Sequence, residues 1–156
     1  MKRFTYLLLT LLLLAVAGRA QVKKGRATRE AEVEKQLSER KFQVNARYAY
    51  PMGGQTVMLN YPYSLRLSGD SVFAYLPYYG RAYSLPYGGG EGLNFAGKAT
   101  GYKQTQKKGR YDISFSVQTE EDCYAFQLSV FRTGDASLSV SMNRKQSISF
   151  AGGLDF

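Results

Sequence analysis

The sequence contains no histidine and no tryptophan, and only one cysteine and four prolines among its 156 residues. Without histidine the chain lacks the usual general base, the His-based nucleophile relays and the commonest metal ligand. A single cysteine can neither close an internal disulfide nor form a cysteine zinc site. We therefore expect a non-enzymatic protein that holds no metal and no cofactor.

The first 20 residues have the pattern of a secretory signal peptide. Lys2 and Arg3 precede an apolar run over residues 6–17, and small residues ending at Ala17 or Ala20 offer two cleavage positions. About 12 apolar residues are too few to cross a bilayer core, which needs about 20. The sequence therefore predicts an exported protein, periplasmic or secreted, that is cleaved near Ala17 or Ala20.

Basic residues outnumber acidic ones by 21 to 12, and the chain after residue 20 keeps a net charge of +6. The charges are scattered along the chain. The densest group is Lys103, Lys107, Lys108 and Arg110, which surrounds a Lys-Lys-Gly sequence typical of a turn. We interpret this group as a solvated hairpin tip and expect no nucleic-acid partner, because export makes such a partner implausible.

One helix is predicted over residues 26–40, within an N-terminal helical segment that spans residues 21–41. This stretch lacks glycine and proline and is rich in Ala, Glu, Lys, Arg, Gln and Leu. Its apolar stripe is thin and consists chiefly of Ala31, Val33 and Leu37. We therefore expect the helix to lie against something larger.

From residue 42 onward apolar residues alternate with polar or small ones, which is the period of half-buried strands. Turn sequences such as Ser68-Gly69-Asp70-Ser71 separate the alternating stretches. Eight strands with short connections predict an antiparallel meander that closes into a small all-β barrel over residues 42–156. The predicted strands are 42–50, 57–67, 72–76, 93–102, 111–117, 124–130, 136–142 and 148–150.

A tyrosine-rich connection of about sixteen residues follows the third predicted strand and is long for a meander. Its rings either plug one end of the barrel, with Arg81 paired to Asp70 or Glu91, or form a gate that binds a small ligand or an envelope protein. In both cases we expect the aromatic side chains to converge at one barrel end around Arg81. The candidate binding residues are Tyr78, Tyr79, Arg81, Tyr83 and Tyr87.

Two other functions have some support in the sequence. An integral outer-membrane barrel would explain the alternation that ends at Phe156, but such barrels need strands of about 9–11 residues, and residues 72–76 are shorter. We therefore expect no stable membrane insertion. An envelope hydrolase could use paired carboxylates, yet most carboxylates lie in predicted turns. The role of Cys123 stays open.

The string Leu76-Pro77-Tyr78-Tyr79-Gly80-Arg81-Ala82-Tyr83 resembles a family of exported bacterial proteins known as domain of unknown function 4251. Residues 63–72, 86–95 and 143–150 carry the same resemblance, which covers roughly residues 30–156. The resemblance implies a small, lipocalin-like β-barrel. It implies no activity and no catalytic residue.

Overall fold

The computed structural model describes residues 25–82 and 92–156, which form one helix, α1 (residues 25–38), and nine strands. The predicted signal segment and the loop residues Tyr83 and Tyr87 lie outside these residues. In the part that is described, no helix has the length and apolarity needed to span a membrane. The strands are β1 (Lys41–Pro51), β2 (Val57–Met58), β3 (Ser64–Ser68), β4 (Ser71–Leu76), β5 (Leu93–Lys107), β6 (Arg110–Gln118), β7 (Cys123–Phe131), β8 (Asp135–Met142) and β9 (Ile148–Leu154).

Eight of the strands close into an antiparallel barrel, as the alternation predicted. The order around the barrel is β1, β3, β4, β5, β6, β7, β8 and β9, and β9 then pairs with β1. The two-residue strand β2 is an addition that pairs with β1 outside this ring. Closure gives the first and last strands a partner and leaves no open sheet edge at the seam between them.

The barrel interior is filled by the apolar residues of the alternating strands. Phe126 and Phe150 are fully buried at its centre, together with a set of leucines, isoleucines and valines. Phe115 stacks on Phe126 with the ring centroids 5.0 Å apart, and Phe95 stacks on Tyr124 at 4.3 Å. An eight-stranded barrel is just wide enough for such filling. The interior is therefore a packed core.

Helix α1 covers one end of the barrel, which we call the helix end. Val33 and Leu37 are fully buried, since a spacing of four residues places them on one face of the helix. Ala31 was predicted to share this face but is exposed, because two residues along a helix correspond to about 200° of rotation. The amide of Gln36 donates to the carbonyl oxygen of Asp155 at 3.0 Å and links the helix to the C-terminus.

The predicted strand over residues 57–67 is divided in two, and this corrects the expectation of one continuous inward phase. Only residues 57–58 and 64–68 form strands. Pro62 has no N–H to donate, and the N–H of Tyr63 donates to the carbonyl oxygen of Tyr61 at 2.8 Å instead of to a neighbouring strand. As a result Tyr61 leaves the inward phase and is 60% exposed.

Strand β5 is longer than predicted and serves two neighbours in turn. Its residues 93–98 pair with β4, and residues from Ala99 to Lys107 pair with β6. The register between β5 and β6 then shifts at Gly101, which has a positive φ of 64°. The basic group at the β5–β6 turn is the expected exposed hairpin tip, and Lys107 contacts the carboxylate of Asp112 at 2.6 Å. Hydrogen bonds from Lys107 and Ser129 lower the pKa of Asp112.

The seam between β1 and β9 depends on a close approach of two backbones. A register shift between Ala46 and Tyr48 places a bulge in β1, and Gly152 of β9 lies opposite it. A Cβ atom at Gly152 would overlap the carbonyl oxygen of Asn45, which is a backbone atom that cannot rotate away. Only glycine fits this position without moving one of the two strands.

We therefore predict that Gly152→Ala lowers the free energy of unfolding by about 2 kcal/mol or more, as overpacking against a backbone atom does. Urea titration followed by circular dichroism measures this loss. The control is Gly25→Ala, because an added Cβ at Gly25 has no atom within 4 Å. Equal stability of the two variants would contradict the close approach at the seam.

Candidate functional site

The first candidate region is the end of the barrel opposite α1, which we call the tyrosine end. After β4, residues 77–82 cross this end and reach the loop between β8 and β9; we call these residues the strap. Ala82 forms an isolated antiparallel bridge with Lys145. The N–H of Gln146 donates to the carbonyl oxygen of Arg81 at 3.1 Å, and the N–H of Arg81 donates to the Gln146 side chain at 3.3 Å. The strap is therefore fixed to the far side of the barrel.

Tyr78 is the residue of the strap that packs against the core. Its hydroxyl lies 3.0 Å from the carbonyl oxygen of Arg81 and 3.1 Å from that of Gln146, so that its single hydrogen is shared between two acceptors. The ammonium of Lys145 lies 5.2 Å from the centre of the Tyr78 ring, within the range of a cation–π contact. Tyr78 thus joins the strap, the β8–β9 loop and the core.

Lys145 is a charged residue that the sequence reasoning assigned only to a turn. It is 6% exposed, although lysine is rarely buried without a partner. The bridge to Ala82 and the ring of Tyr78 explain why it is covered. The charged group beside the Tyr78 ring is therefore the ammonium of Lys145. The sequence had predicted the guanidinium of Arg81 in this position.

The other site residues that the structure describes, Tyr79 and Arg81, also lie on the strap. Tyr79 and Arg81 are exposed, and Arg81 contacts Gln146 through backbone atoms alone. The expected pair between Arg81 and Asp70 is wrong, because β4 separates the two residues by the length of the barrel. Asp70 lies at the helix end, where its carboxylate is 3.6 Å from Arg40. The alternative partner Glu91, like Tyr83 and Tyr87, lies outside the described residues.

Asp122 is a buried carboxylate at the tyrosine end with a structural role. It accepts hydrogen bonds from the backbone N–H groups of Cys123 at 2.8 Å, Asn143 at 3.2 Å and Arg144 at 2.8 Å. These bonds connect the β6–β7 turn to the β8–β9 loop. Cys123 is a free, partly exposed cysteine. In residues 25–82 and 92–156, no three acidic or cysteine side chains are grouped so that they could hold a metal ion.

The second candidate region lies on the outside of the barrel, on β3, β4 and the segment before β3. The ring centroids of Tyr61 and Tyr63 are 5.7 Å apart, and those of Tyr63 and Tyr75 are 5.4 Å apart. Next to them the guanidinium of Arg66 lies 4.5 Å from the centre of the Phe73 ring. We call these five residues the aromatic face. They form one continuous strip across two neighbouring strands.

A shallow groove of about 370 Å³ runs along the aromatic face. This volume lies at the lower end of the range of known ligand pockets, about 300–1,000 Å³. Hydroxyl and amide side chains border the rings, so that the groove offers hydrogen-bond donors and acceptors beside apolar surface. Among the residues that line it are Gln43, Ser64, Arg66, Phe73, Tyr75 and Asn94.

The sequence reasoning missed the aromatic face for a specific reason. It counted Tyr61 and Tyr63 in the inward phase of a strand that Pro62 interrupts. A usable signal was present in β4, where Phe73 and Tyr75 occupy the outward positions between inward Val72, Ala74 and Leu76. Two aromatic residues at positions that a barrel normally exposes to water indicate an interaction surface.

Comparisons with known proteins place the chain among proteins that share this fold. The profile of the family described as domain of unknown function (DUF4251) matches residues 24–154. A similar solved structure is the crystal structure of a DUF4251 family protein from Bacteroides eggerthii DSM 20697. It has 18% sequence identity and a TM-score of 0.66, and the match covers 82% of this chain and 87% of that one. At this identity the likeness shows the fold alone. No curated protein matches the chain.

The contacts of the strap predict different effects for its two best-defined residues. We expect Tyr78→Phe to lower the free energy of unfolding by about 1 kcal/mol, because it removes a hydroxyl that bonds two loops. Arg81→Ala should change it by less than about 0.5 kcal/mol, because among the described residues only backbone atoms of Arg81 make the contacts that fix the strap. Thermal and urea unfolding of the two variants measure the difference. A larger loss in Arg81→Ala than in Tyr78→Phe would show that the arginine side chain supports the strap.

Proposed function

We propose that this chain, which belongs to the DUF4251 family, is an exported, non-catalytic binding protein. Its ligand is an extended molecule that lies along the aromatic face on the outside of the barrel. The observation that carries this proposal is the strip of partly exposed rings formed by Tyr61, Tyr63, Phe73 and Tyr75. Contiguous exposed apolar surface is uncommon on soluble proteins and is frequently a binding site.

Because the barrel interior is filled, we expect the ligand-binding site on the outside of the barrel. Phe115, Phe126 and Phe150 occupy the space in which lipocalin-like barrels hold a ligand. The strap and helix α1 lie across the two ends of the barrel. A ligand therefore finds apolar rings and hydrogen-bonding groups on the outside, where the groove is open to solvent.

The strap itself is less suited to binding than the aromatic face. The hydroxyl of Tyr78 and the backbone of Arg81 already bond to Gln146. A ligand at this position would have to break those bonds before forming its own. We therefore assign the strap to closing the barrel end and the aromatic face to recognition.

The distribution of polar residues supports a barrel surrounded by water. On β8 and β9 the outward positions carry serines, and the hydroxyl of Ser149 donates to that of Ser139 at 3.1 Å. Outer-membrane barrels instead have an apolar outer band and a polar lumen. Together with the signal-like residues 1–20, this pattern supports export without membrane insertion.

The contacts of two carboxylates, Asp112 and Asp122, support a non-catalytic function. Asp122 accepts three backbone hydrogen bonds, and Asp112 is held by Lys107 and Arg110. Neither carboxylate is free to act as a general acid or base. The sequence has no histidine to take that role in their place.

We predict that the purified protein retains at least one member of a defined panel: a neutral polysaccharide, an acidic polysaccharide, a proline-rich peptide and anionic phospholipid vesicles. Tyr75→Ala should weaken that retention about tenfold, because one well-placed ring contributes roughly 1.4 kcal/mol or more to an interface. Affinity electrophoresis and vesicle flotation measure the retention.

Phe131→Ala is the matched control for this experiment. Phe131 is 42% exposed, as is Tyr75, but it lies on β7, on the side of the barrel opposite β3. Its replacement should leave retention unchanged. Equal losses in the two variants, retention of none of the panel, or chemical turnover of a retained ligand would each contradict the proposed function.

A further inference from the structure

The charges of the barrel are divided between two halves of the chain. Residues 41–111 contain nine lysines and arginines and only two carboxylates, Asp70 and Glu91. Residues 112–156 contain three lysines and arginines and six carboxylates. Four of these basic residues lie on β1, β3, β4 and the first part of β5, which are consecutive in the barrel, so that this side of the barrel is positive.

The aromatic face lies on the positive side. The outward positions of β1, β3, β4 and residues 93–98 of β5 carry Lys41, Arg47, Arg66 and Lys98 and no carboxylate. Asp70 is in the β3–β4 turn at the helix end, where Arg40 pairs with it. No described carboxylate therefore neutralises the arginine beside the groove.

Arg66 is placed to receive an anionic group. Its guanidinium lies against the Phe73 ring, and in the described part of the chain it makes no ion pair with a carboxylate. A guanidinium stacked on a ring keeps its N–H groups in its own plane, where they can bond a carboxylate in a bidentate manner. Gln43, Ser64 and Asn94 lie beside it in the same groove.

We infer that the ligand of the aromatic face is an acidic polysaccharide, a sugar chain that carries carboxylates. This inference rests on the proposed function and names the ligand class of the same site. The apolar faces of sugar rings pack on the tyrosines, the amides and hydroxyls bond the sugar hydroxyls, and Arg66 binds a carboxylate. The positive side of the barrel attracts the chain over a longer range.

Single-stranded nucleic acid is the other polyanion that binds to aromatic and basic surfaces, and the geometry favours it less. Nucleic-acid grooves stack successive bases on side chains while a series of cations follows the phosphates. Here Tyr61, Tyr63 and Tyr75 contact one another at 5.4–6.4 Å and form one surface instead of separate positions for bases. The groove itself contains a single cation, Arg66, among its lining residues.

The test compares polygalacturonate with highly methyl-esterified polygalacturonate, which is the same chain with its carboxylates masked, and with oligothymidylate. Isothermal titration calorimetry of the purified protein measures the affinity for each. We expect polygalacturonate to bind about tenfold more tightly than the esterified chain, and this preference to disappear at about 0.5 M salt. Arg66→Gln should remove the preference, and Arg144→Gln, in the loop between β8 and β9, should leave it intact.

The outcomes separate this inference from the proposed function. Equal affinity for the two sugar chains, with both weakened by Tyr75→Ala, would overturn the acidic ligand and leave the aromatic face as a binding site. Tighter binding of oligothymidylate than of polygalacturonate would overturn the assignment of the ligand as a polysaccharide. Binding of neither sugar chain would also overturn it. If Arg66→Gln lowers the melting temperature, Lys98→Gln on β5 provides the second test of the charge preference.

Discussion

The limited width of an eight-stranded barrel is the constraint on which the rest of this structure depends. Its interior holds about one layer of large side chains, and Phe115, Phe126 and Phe150 already fill it. A filled interior stabilises the barrel through burial of apolar surface, but it leaves little room for a ligand. The binding function that we propose is therefore assigned to the outside of the sheet.

Closing such a barrel requires a close backbone approach at the seam and a covering segment at each end. Gly152 permits the backbones of β1 and β9 to approach, and the bulge in β1 adjusts the register between them. Helix α1 covers one end with Val33 and Leu37, and the strap covers the other with Tyr78. All three features give partners to backbone groups that an open end or edge would leave unpaired.

The aromatic face forms where Pro62 interrupts a strand. Pro62 interrupts the pairing that would have continued β2 into β3, so that Tyr61 is exposed while Tyr63 packs partly against the core. They meet Tyr75, which lies at an outward position of β4. Because the same side of the barrel contains almost no carboxylate, aromatic surface and positive charge occur together there. This combination distinguishes the outside of β3 and β4 from the serine-rich outside of β8 and β9.

Much of the fold was predictable from the sequence, because the period of two and the turn residues between strands are local properties. The hairpin turn at Gly69 and Asp70, the basic tip at Lys108 and the eight-stranded closure follow from them. The candidate site was less predictable. The tyrosine-rich connection was recognised, but its partners Lys145 and Gln146 are more than 60 residues away in the chain, and no local pattern shows such a contact.

The amino-acid sequence alone determined the class of fold and the absence of histidine chemistry, since these depend on composition and on the spacing of neighbours. Only the tertiary structure decided that the barrel interior is filled and which aromatic rings are outside. A proline interrupts the alternation of inward and outward side chains along a strand. The direction in which the following side chains face then depends on the strands available for pairing on either side.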